Sequence, residues 1–284
     1  MKPGPLLTAG SYGLRALGYR SVVVPTSVGR VHLWTATGGG SLPPLVLFHG
    51  FGSSAMHWMP MLQLLRRHVA GIVAIDLPGH GFSDPLPGGR AGTETLRIGV
   101  VEALDAVDHP PSVVIGNSLG GAAGVRYVNA RADRVRGAML FSPAGAPMND
   151  AELTAIRAVF RVDGHQDAVA FVRRLHGRPV GLRAHLIAPA LRRSLADPVL
   201  RAWLADVTDD DFLRPDELAG LATPVRVVWG RQERILPDRA RGFWRDHLPS
   251  HAELLEPEGF GHTPFLDDRR WTASEVLRFC AEVA

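Results

Sequence analysis

Short apolar runs alternate with longer amphipathic stretches along most of the chain. Residues 45–48, 71–75, 112–115, 135–141, 225–229 and 253–255 are the runs. Being short and nearly unbroken, they predict strands covered on both faces. Between them, apolar residues recur at helical spacing over 53–68, 93–107 and about 119–130, which predicts helices. Two further strands, 21–25 and 30–37, are expected around a turn at 26–29. Buried strands alternating with helices predict an α/β protein with a mostly parallel sheet.

Residues 147–222 break this rhythm. They offer no strand pattern, and helical spacing recurs over 151–160, 167–176 and 182–195. Lying between two sheet strands, the segment is expected to fold back over the sheet's edge. The expected organisation is a core of residues 1–146 and 223–284 carrying a helical cap of 147–222.

Composition narrows the class. The chain has 284 residues, 46% of them hydrophobic and 21% charged, as in a soluble globular protein large enough to fold without staples. Its single cysteine, Cys280, excludes a disulfide framework and a multi-cysteine zinc site. It lies in an amphipathic C-terminal segment and reads as a packed apolar residue. No apolar run reaches the roughly 18 residues of a membrane span. After Lys2, the sequence Pro3-Gly4-Pro5 and a broken apolar stretch through Tyr19 make a poor secretory signal, so a cytoplasmic enzyme is expected. The net charge is only +3, and Lys2 is the sole lysine. The arginines are scattered, often beside acids, so no nucleic-acid partner is expected.

The sharpest chemical signal is Gly116-Asn117-Ser118-Leu119-Gly120-Gly121, between the strand at 112–115 and a helix. A G-x-S-x-G turn in that setting strains the serine backbone and exposes its hydroxyl. Glycines flank it because strand and helix approach too closely there for side chains. The turn also sets the Leu119 N–H at a helix N-terminus, where it can stabilise an oxyanion. An ordinary strand-to-helix turn can carry the same residues; the strand before and the helix after favour the nucleophile.

Four more segments carry a resemblance. They are His49-Gly50-Phe51-Gly52, Asp76-Leu77-Pro78-Gly79-His80-Gly81-Phe82-Ser83-Asp84, Val227-Val228-Trp229-Gly230-Arg231-Gln232-Glu233 and Gly259-Phe260-Gly261-His262-Thr263-Pro264. With the serine turn, and in this order, they resemble the α/β-hydrolase family, in the group with a helical cap inserted after the sixth strand. The resemblance runs from about Tyr19 to the C-terminus. It implies an α/β-hydrolase fold with a mostly parallel eight-stranded sheet flanked by helices. It implies Ser118 as nucleophile, His262 as base, and the backbone N–H groups of Phe51 and Leu119 as the oxyanion hole. Glu233 takes the acid's place. The family usually has aspartate there, so glutamate, one carbon–carbon bond longer, must be accommodated by the loop or the histidine; Asp238 is the alternative acid.

The implied activity is that of a serine carboxylesterase on small to medium apolar esters, without cofactor or metal. The same triad serves meta-cleavage-product-type carbon–carbon bond hydrolases, thioesterases and lactonases, and relatives on this fold act as ligand receptors. Monomer and homodimer are both open. His49 is expected to brace the oxyanion loop and His80 to pack in its own turn. The other histidines show no HExxH or paired ligand spacing. Asp76 and Asp84 read as loop-stabilising acids. Phe51, Met56, Trp58, Phe160, Phe171, Leu186 and Trp203 are candidate pocket walls, although apolar residues at helical spacing more often face a core. The cap's many arginines could attract an acidic substrate group, though most should be solvated.

Overall fold

The computed structural model describes residues 5–86, 92–107 and 109–284. Its strands are β1 (Arg20–Thr26), β2 (Gly29–Thr37), β3 (Leu45–Phe48), β4 (Gly71–Asp76), β5 (Ser112–Asn117), β6 (Val135–Phe141), β7 (Val225–Val228) and β8 (Glu253–Leu255). They form one eight-stranded sheet in the order β1-β2-β4-β3-β5-β6-β7-β8. β2 pairs antiparallel with β1 and β4; every other pairing is parallel. This is the α/β-hydrolase fold. Every residue of β3, β5 and β7 is buried, which is why those strands read as unbroken apolar runs. β1, at the sheet's edge, has mixed burial instead.

The helices are α1 (Pro5–Ala16), α2 (Met59–Arg66), α3 (Thr93–Asp105), α4 (Leu119–Ala130), α5 (Asp150–Phe160), α6 (His165–Leu175), α7 (Arg183–Leu195), α8 (Pro198–Ala205), α9 (Pro215–Ala219), α10 (Asp238–His247), α11 (Pro264–Asp267) and α12 (Arg269–Glu282). Two apolar clusters flank the sheet. One gathers Val46, Phe48, Val114 and Leu140 with α3 and α4 residues such as Leu104 and Val125. The other gathers Leu45, Leu47, Ile115 and Phe141 with Trp58, Phe265 and Phe279. Cys280 is buried in the second. All of α5–α9 lies between β6 and β7, a helical insertion after the sixth strand; among the described residues it contributes no strand to the sheet. A third cluster, including Ile156, Val169, Phe171 and Ala188, gathers residues of this helical insertion.

Three local features go beyond the periodicity or differ from it. The segment before Tyr19 is a helix, α1, opened by Pro5 and formed despite Gly10 and Gly13, with Leu14 buried in the second cluster. The helix expected over 53–68 is a 3-10 turn, Ala55–Trp58, followed by α2, since Pro60 fits only the first turn of a helix. The insertion also carries α8 and α9, short helices opened by Pro198 and Pro215.

The register aligns the carboxyl ends of the central strands. Phe48 lies beside Gly116, Asn117 beside Phe141, Phe141 beside Val228, and Val228 beside Leu255. Loops leaving those ends therefore converge on one edge, where open α/β sheets hold their ligands. α4 starts hard against β3: a Cβ on Gly120 would lie 2.2 Å from the Phe48 carbonyl oxygen and 2.6 Å from that of His49. A Cβ on Gly13 in α1 would meet nothing within 4 Å. Gly13→Ala is therefore expected to stabilise by about 0.5–1 kcal/mol through helix propensity. Gly120→Ala should destabilise by several kcal/mol, on the order of the largest core defects. Denaturant unfolding midpoints at unchanged m-value measure both; equal effects from the two would contradict the close approach.

Candidate active site

Ser118 stands between β5 and α4 at φ 54°, ψ −121°, one of two described non-glycine residues with positive φ. Such strain persists only where surroundings hold it. Its N–H donates to the Phe141 carbonyl (3.1 Å), and its carbonyl accepts from Gly121 (2.8 Å) and Ala144 (2.9 Å). Although Ser118 occupies the helix cap position, its hydroxyl makes no capping bond. Leu119 is the first residue of α4, so its N–H is among the donors a helix start leaves without a partner. Gly50 closes in from the β3 loop: a Cβ there would be 3.3 Å from Cβ of Ser118. Phe51, next in sequence, thus belongs to the loop passing over Ser118.

Across the edge, Glu233 and His262 meet. His262 Nδ1 lies 2.8 Å from Glu233 Oε2, and their side chains are only 4% and 6% exposed. The other carboxylate oxygen accepts from the N–H groups of Ile235 (2.7 Å) and Leu236 (3.1 Å). Burial pushes the Glu233 carboxyl up. His262, the hydrogen bond to it, the Ile235 N–H and the nearby Ser142 hydroxyl outweigh that and hold it below the ordinary carboxylate value. A carboxylate at Nδ1 directs the imidazole's other nitrogen, Nε2, away as the proton acceptor. Asp238 is exposed at the start of α10, and the acid paired with His262 is Glu233.

Asn117 joins the two halves. Its amide donates to the His262 carbonyl and to the Phe141 carbonyl, both at 2.9 Å. Asp267 does the same for the helical insertion between β6 and β7. Fully buried, it accepts from Gly261 N–H (2.8 Å) and Gly177 N–H (2.9 Å), with His176 Nδ1 at 3.2 Å. Thr263 adds N–H and hydroxyl bonds to the Leu175 carbonyl at 3.1 and 3.0 Å, and Arg234, next to Glu233, donates to the Arg173 carbonyl at 2.8 Å. The C-terminal end of α6 is thereby fastened to the loops carrying both His262 and Glu233. Neither Asn117 nor Asp267 stands out by composition; Asn117 lies inside the serine motif, whereas Asp267 lies three residues beyond the histidine motif and carries no sequence signal.

The remaining motif residues are structural. His49 Nδ1 lies 2.8 Å from the Gly50 carbonyl while its Nε2 accepts from Leu77 N–H at 3.0 Å, which fixes a neutral ring under the loop after β3. Asp76 accepts from Ala55 N–H (2.6 Å) and Phe82 N–H (3.1 Å) and faces His32 at 2.8 Å; Asp84 pairs with Arg30. Above the loop, the Phe51 ring meets Phe160, Trp203 and His80 edge-on at 5.2, 5.4 and 5.7 Å, and Phe160 continues to Phe171 at 5.1 Å. Those candidate wall residues gather over the site. Three others do not. Trp58 packs on Phe265 in the second cluster, Met56 lies against α1 at Gly10, and Leu186 is 80% exposed on the outside of α7. Among the described residues no group of three or more His, Cys, Asp or Glu could hold a metal ion, and no helix is long and apolar enough to cross a membrane.

Comparison with known proteins points the same way. Residues 45–275 match the model described as the alpha/beta hydrolase family. The chain is 29% identical over 261 residues to a dihydrolipoyllysine-residue acetyltransferase component of the acetoin cleaving system of Pseudomonas putida, spanning 88% of this chain and 67% of that protein. It is 29% identical over 258 residues to a pimeloyl-[acyl-carrier protein] methyl ester esterase of Xanthomonas oryzae, spanning 86% and 97%. An esterase from a Rhodococcus species superposes with a TM-score of 0.77 at 25% identity, over 94% of this chain and 99% of that one.

Three buried histidines surround the site. Burial lowers His49 to about 3, His57 to about 4 and His80 to about 4. They are neutral in the fold and take up protons on unfolding once the pH falls below the ordinary value of 6.5. Stability is thus fully present above 6.5 and declines as pH falls toward the folded values. With roughly three protons taken up, the slope near pH 5 should be about 4 kcal/mol per pH unit. Unfolding free energy measured against pH checks this, with His80→Gln expected to remove about a third of the slope. A flat profile through that range would contradict it.

Proposed function

This chain belongs to the alpha/beta hydrolase family, and on that premise we propose that it is a serine carboxylesterase cleaving small to medium apolar esters through an acyl-enzyme. The observation carrying the proposal is the buried His262–Glu233 pair at 2.8 Å, set across the sheet edge from a strained Ser118 whose hydroxyl is unspent. A serine hydroxyl is a weak nucleophile until a neighbouring base takes its proton during attack. In the proposed reaction Ser118 Oγ attacks the ester carbonyl carbon and passes its proton to His262 Nε2. The carbonyl electron pair moves onto oxygen, where the N–H groups of Phe51 and Leu119 stabilise it; each such donor is typically worth about 100- to 1,000-fold in rate. Collapse expels the alcohol, which takes the proton from His262 and leaves the acyl group on Ser118. Water, deprotonated by His262, then releases the acid and restores the serine. Glu233 keeps the imidazole in the right tautomer and stabilises its charged form.

The substrate class rests on the cap. Phe51, Phe160, Phe171 and Trp203 form an aromatic cluster over the oxyanion loop, suited to an apolar acyl or alcohol group. The Xanthomonas relative's name, a methyl ester esterase, supports an ester bond as the target. We assign residues 147–222 as the cap that shapes this site.

Steady-state hydrolysis of a p-nitrophenyl ester series, from short to long acyl chains, tests the reading. Multiple turnovers are expected for the wild type and none for Ser118→Ala. Turnover by Ser118→Ala within a few-fold of wild type would remove Ser118 as nucleophile. Turnover limited to one equivalent would point to a ligand receptor, and faster cleavage of a dienol-type diketo acid than of any ester would point to carbon–carbon hydrolysis. Glu233→Gln should lower kcat by about 1,000- to 10,000-fold, as acid removal does in other triads, while Asp238→Asn stays within a few-fold. The reverse order would make Asp238 the acid.

A further inference from the structure

α7 is apolar on both sides. Its inner face, with Ala184, Ala188 and Leu195, is buried in the cap core. On the opposite side Leu182, Leu186, Pro189 and Arg193 are all exposed, and their spacing of four, three and four residues makes them one stripe. Leu182 is 84% and Leu186 80% exposed, and Ile187 beside them is 44% exposed. An amphipathic helix of a globular protein normally turns charge, not leucine, outward.

The charge around the stripe has one sign. From Ala168 to Ala196 the chain contains six arginines and no aspartate or glutamate. The acids bordering this stretch are engaged. Asp163 pairs with Arg161 and Arg201, Asp167 accepts from Gly164 N–H, and Asp197 caps α8 through Val199 N–H. Arg183, Arg192 and Arg193 of α7 are exposed.

We propose that the outer face of α7 docks this protein on a bilayer containing anionic phospholipid, with Leu182, Leu186 and Ile187 entering the headgroup–acyl boundary and the arginines meeting lipid phosphates. The face suits that partner physically. It is a convex helix surface, and leucines ringed by guanidinium groups are the signature of helices lying in the membrane interface. A second copy of this chain would need roughly 800 Å² per partner, more than one helix stripe supplies. An acidic protein alone would satisfy the arginines but leave the leucines in water. Docking would also bring the site to the lipid. On its inner side α7 reaches the oxyanion loop, where Ser194 donates to the Gly52 carbonyl and Leu195 abuts Gly52.

The inference rests on this face and not on the reaction, so its test needs no substrate. Co-sedimentation of the full chain is measured with vesicles of phosphatidylcholine alone and of phosphatidylcholine mixed with phosphatidylglycerol. Binding is expected only to the mixed vesicles and should weaken as salt rises. Arg183→Ala with Arg193→Ala should weaken it about 25-fold, from roughly five-fold per guanidinium near an anionic surface. Leu182→Ser with Leu186→Ser should weaken it by at least about ten-fold. All four side chains are exposed, so far-UV circular dichroism should show these variants folded. No binding by the wild type, or binding that either pair leaves unchanged, would overturn the proposal. So would a concentration-dependent dimer that Leu182→Ser with Leu186→Ser dissolves while vesicles bind nothing.

Discussion

A buried carboxylate is tolerable only when its charge is answered, and the Glu233–His262 contact answers it at the point where the sheet's edge becomes chemistry. Desolvation alone would drive Glu233 toward its neutral form. A neutral acid would neither fix the imidazole tautomer nor stabilise its charge. The two N–H bonds from Ile235 and Leu236 hold one oxygen, so the other is left to His262. The extra methylene of glutamate is absorbed in that short turn, whose backbone folds around the carboxylate. Further lacing fixes the distance between the loops: Gln232 N–H donates to the Phe260 carbonyl at 2.9 Å, and Gly259 N–H donates to the Gln232 side chain at 2.7 Å.

The same loops hold the cap. Thr263, Asp267 and Arg234 grip the end of α6, and Ser194 of α7 bonds to the oxyanion loop at Gly52. The cap therefore touches the elements proposed to carry base, acid and oxyanion donor. Displacing the C-terminal end of α6 would strain the His262 loop directly, whereas α8, attached through Trp203 and Leu200 to the sheet-side cluster, has a separate foothold. Shaping of the pocket and alignment of the loops proposed to be catalytic are thus one packing problem.

Much of this was legible in the sequence for physical reasons that differ by element. Strands buried on both faces have no option but apolar residues, so β3, β5 and β7 announced themselves. Ser118 was marked by glycines that a close helix–strand approach demands. Glu233 and His262 were legible only through resemblance, since nothing local ties residues 29 apart in sequence. α1 was hidden because its glycines argue against a helix that burial of Leu14 secures. Leu186 was expected at the pocket and faces outward, because a helix apolar on both sides gives periodicity no way to choose. Asn117 and Asp267 act through backbone atoms far away in the chain, which no spacing rule encodes.

The central claim is that one strained serine is activated by the buried pair, and its reactivity toward a phosphonate reads this without assuming any ester. The chain would be incubated with an alkyl fluorophosphonate, and its intact mass and digested peptides measured. A single adduct, located on Ser118, is the expected result. No adduct, or one on another residue, would mean that this geometry does not make Ser118 a nucleophile.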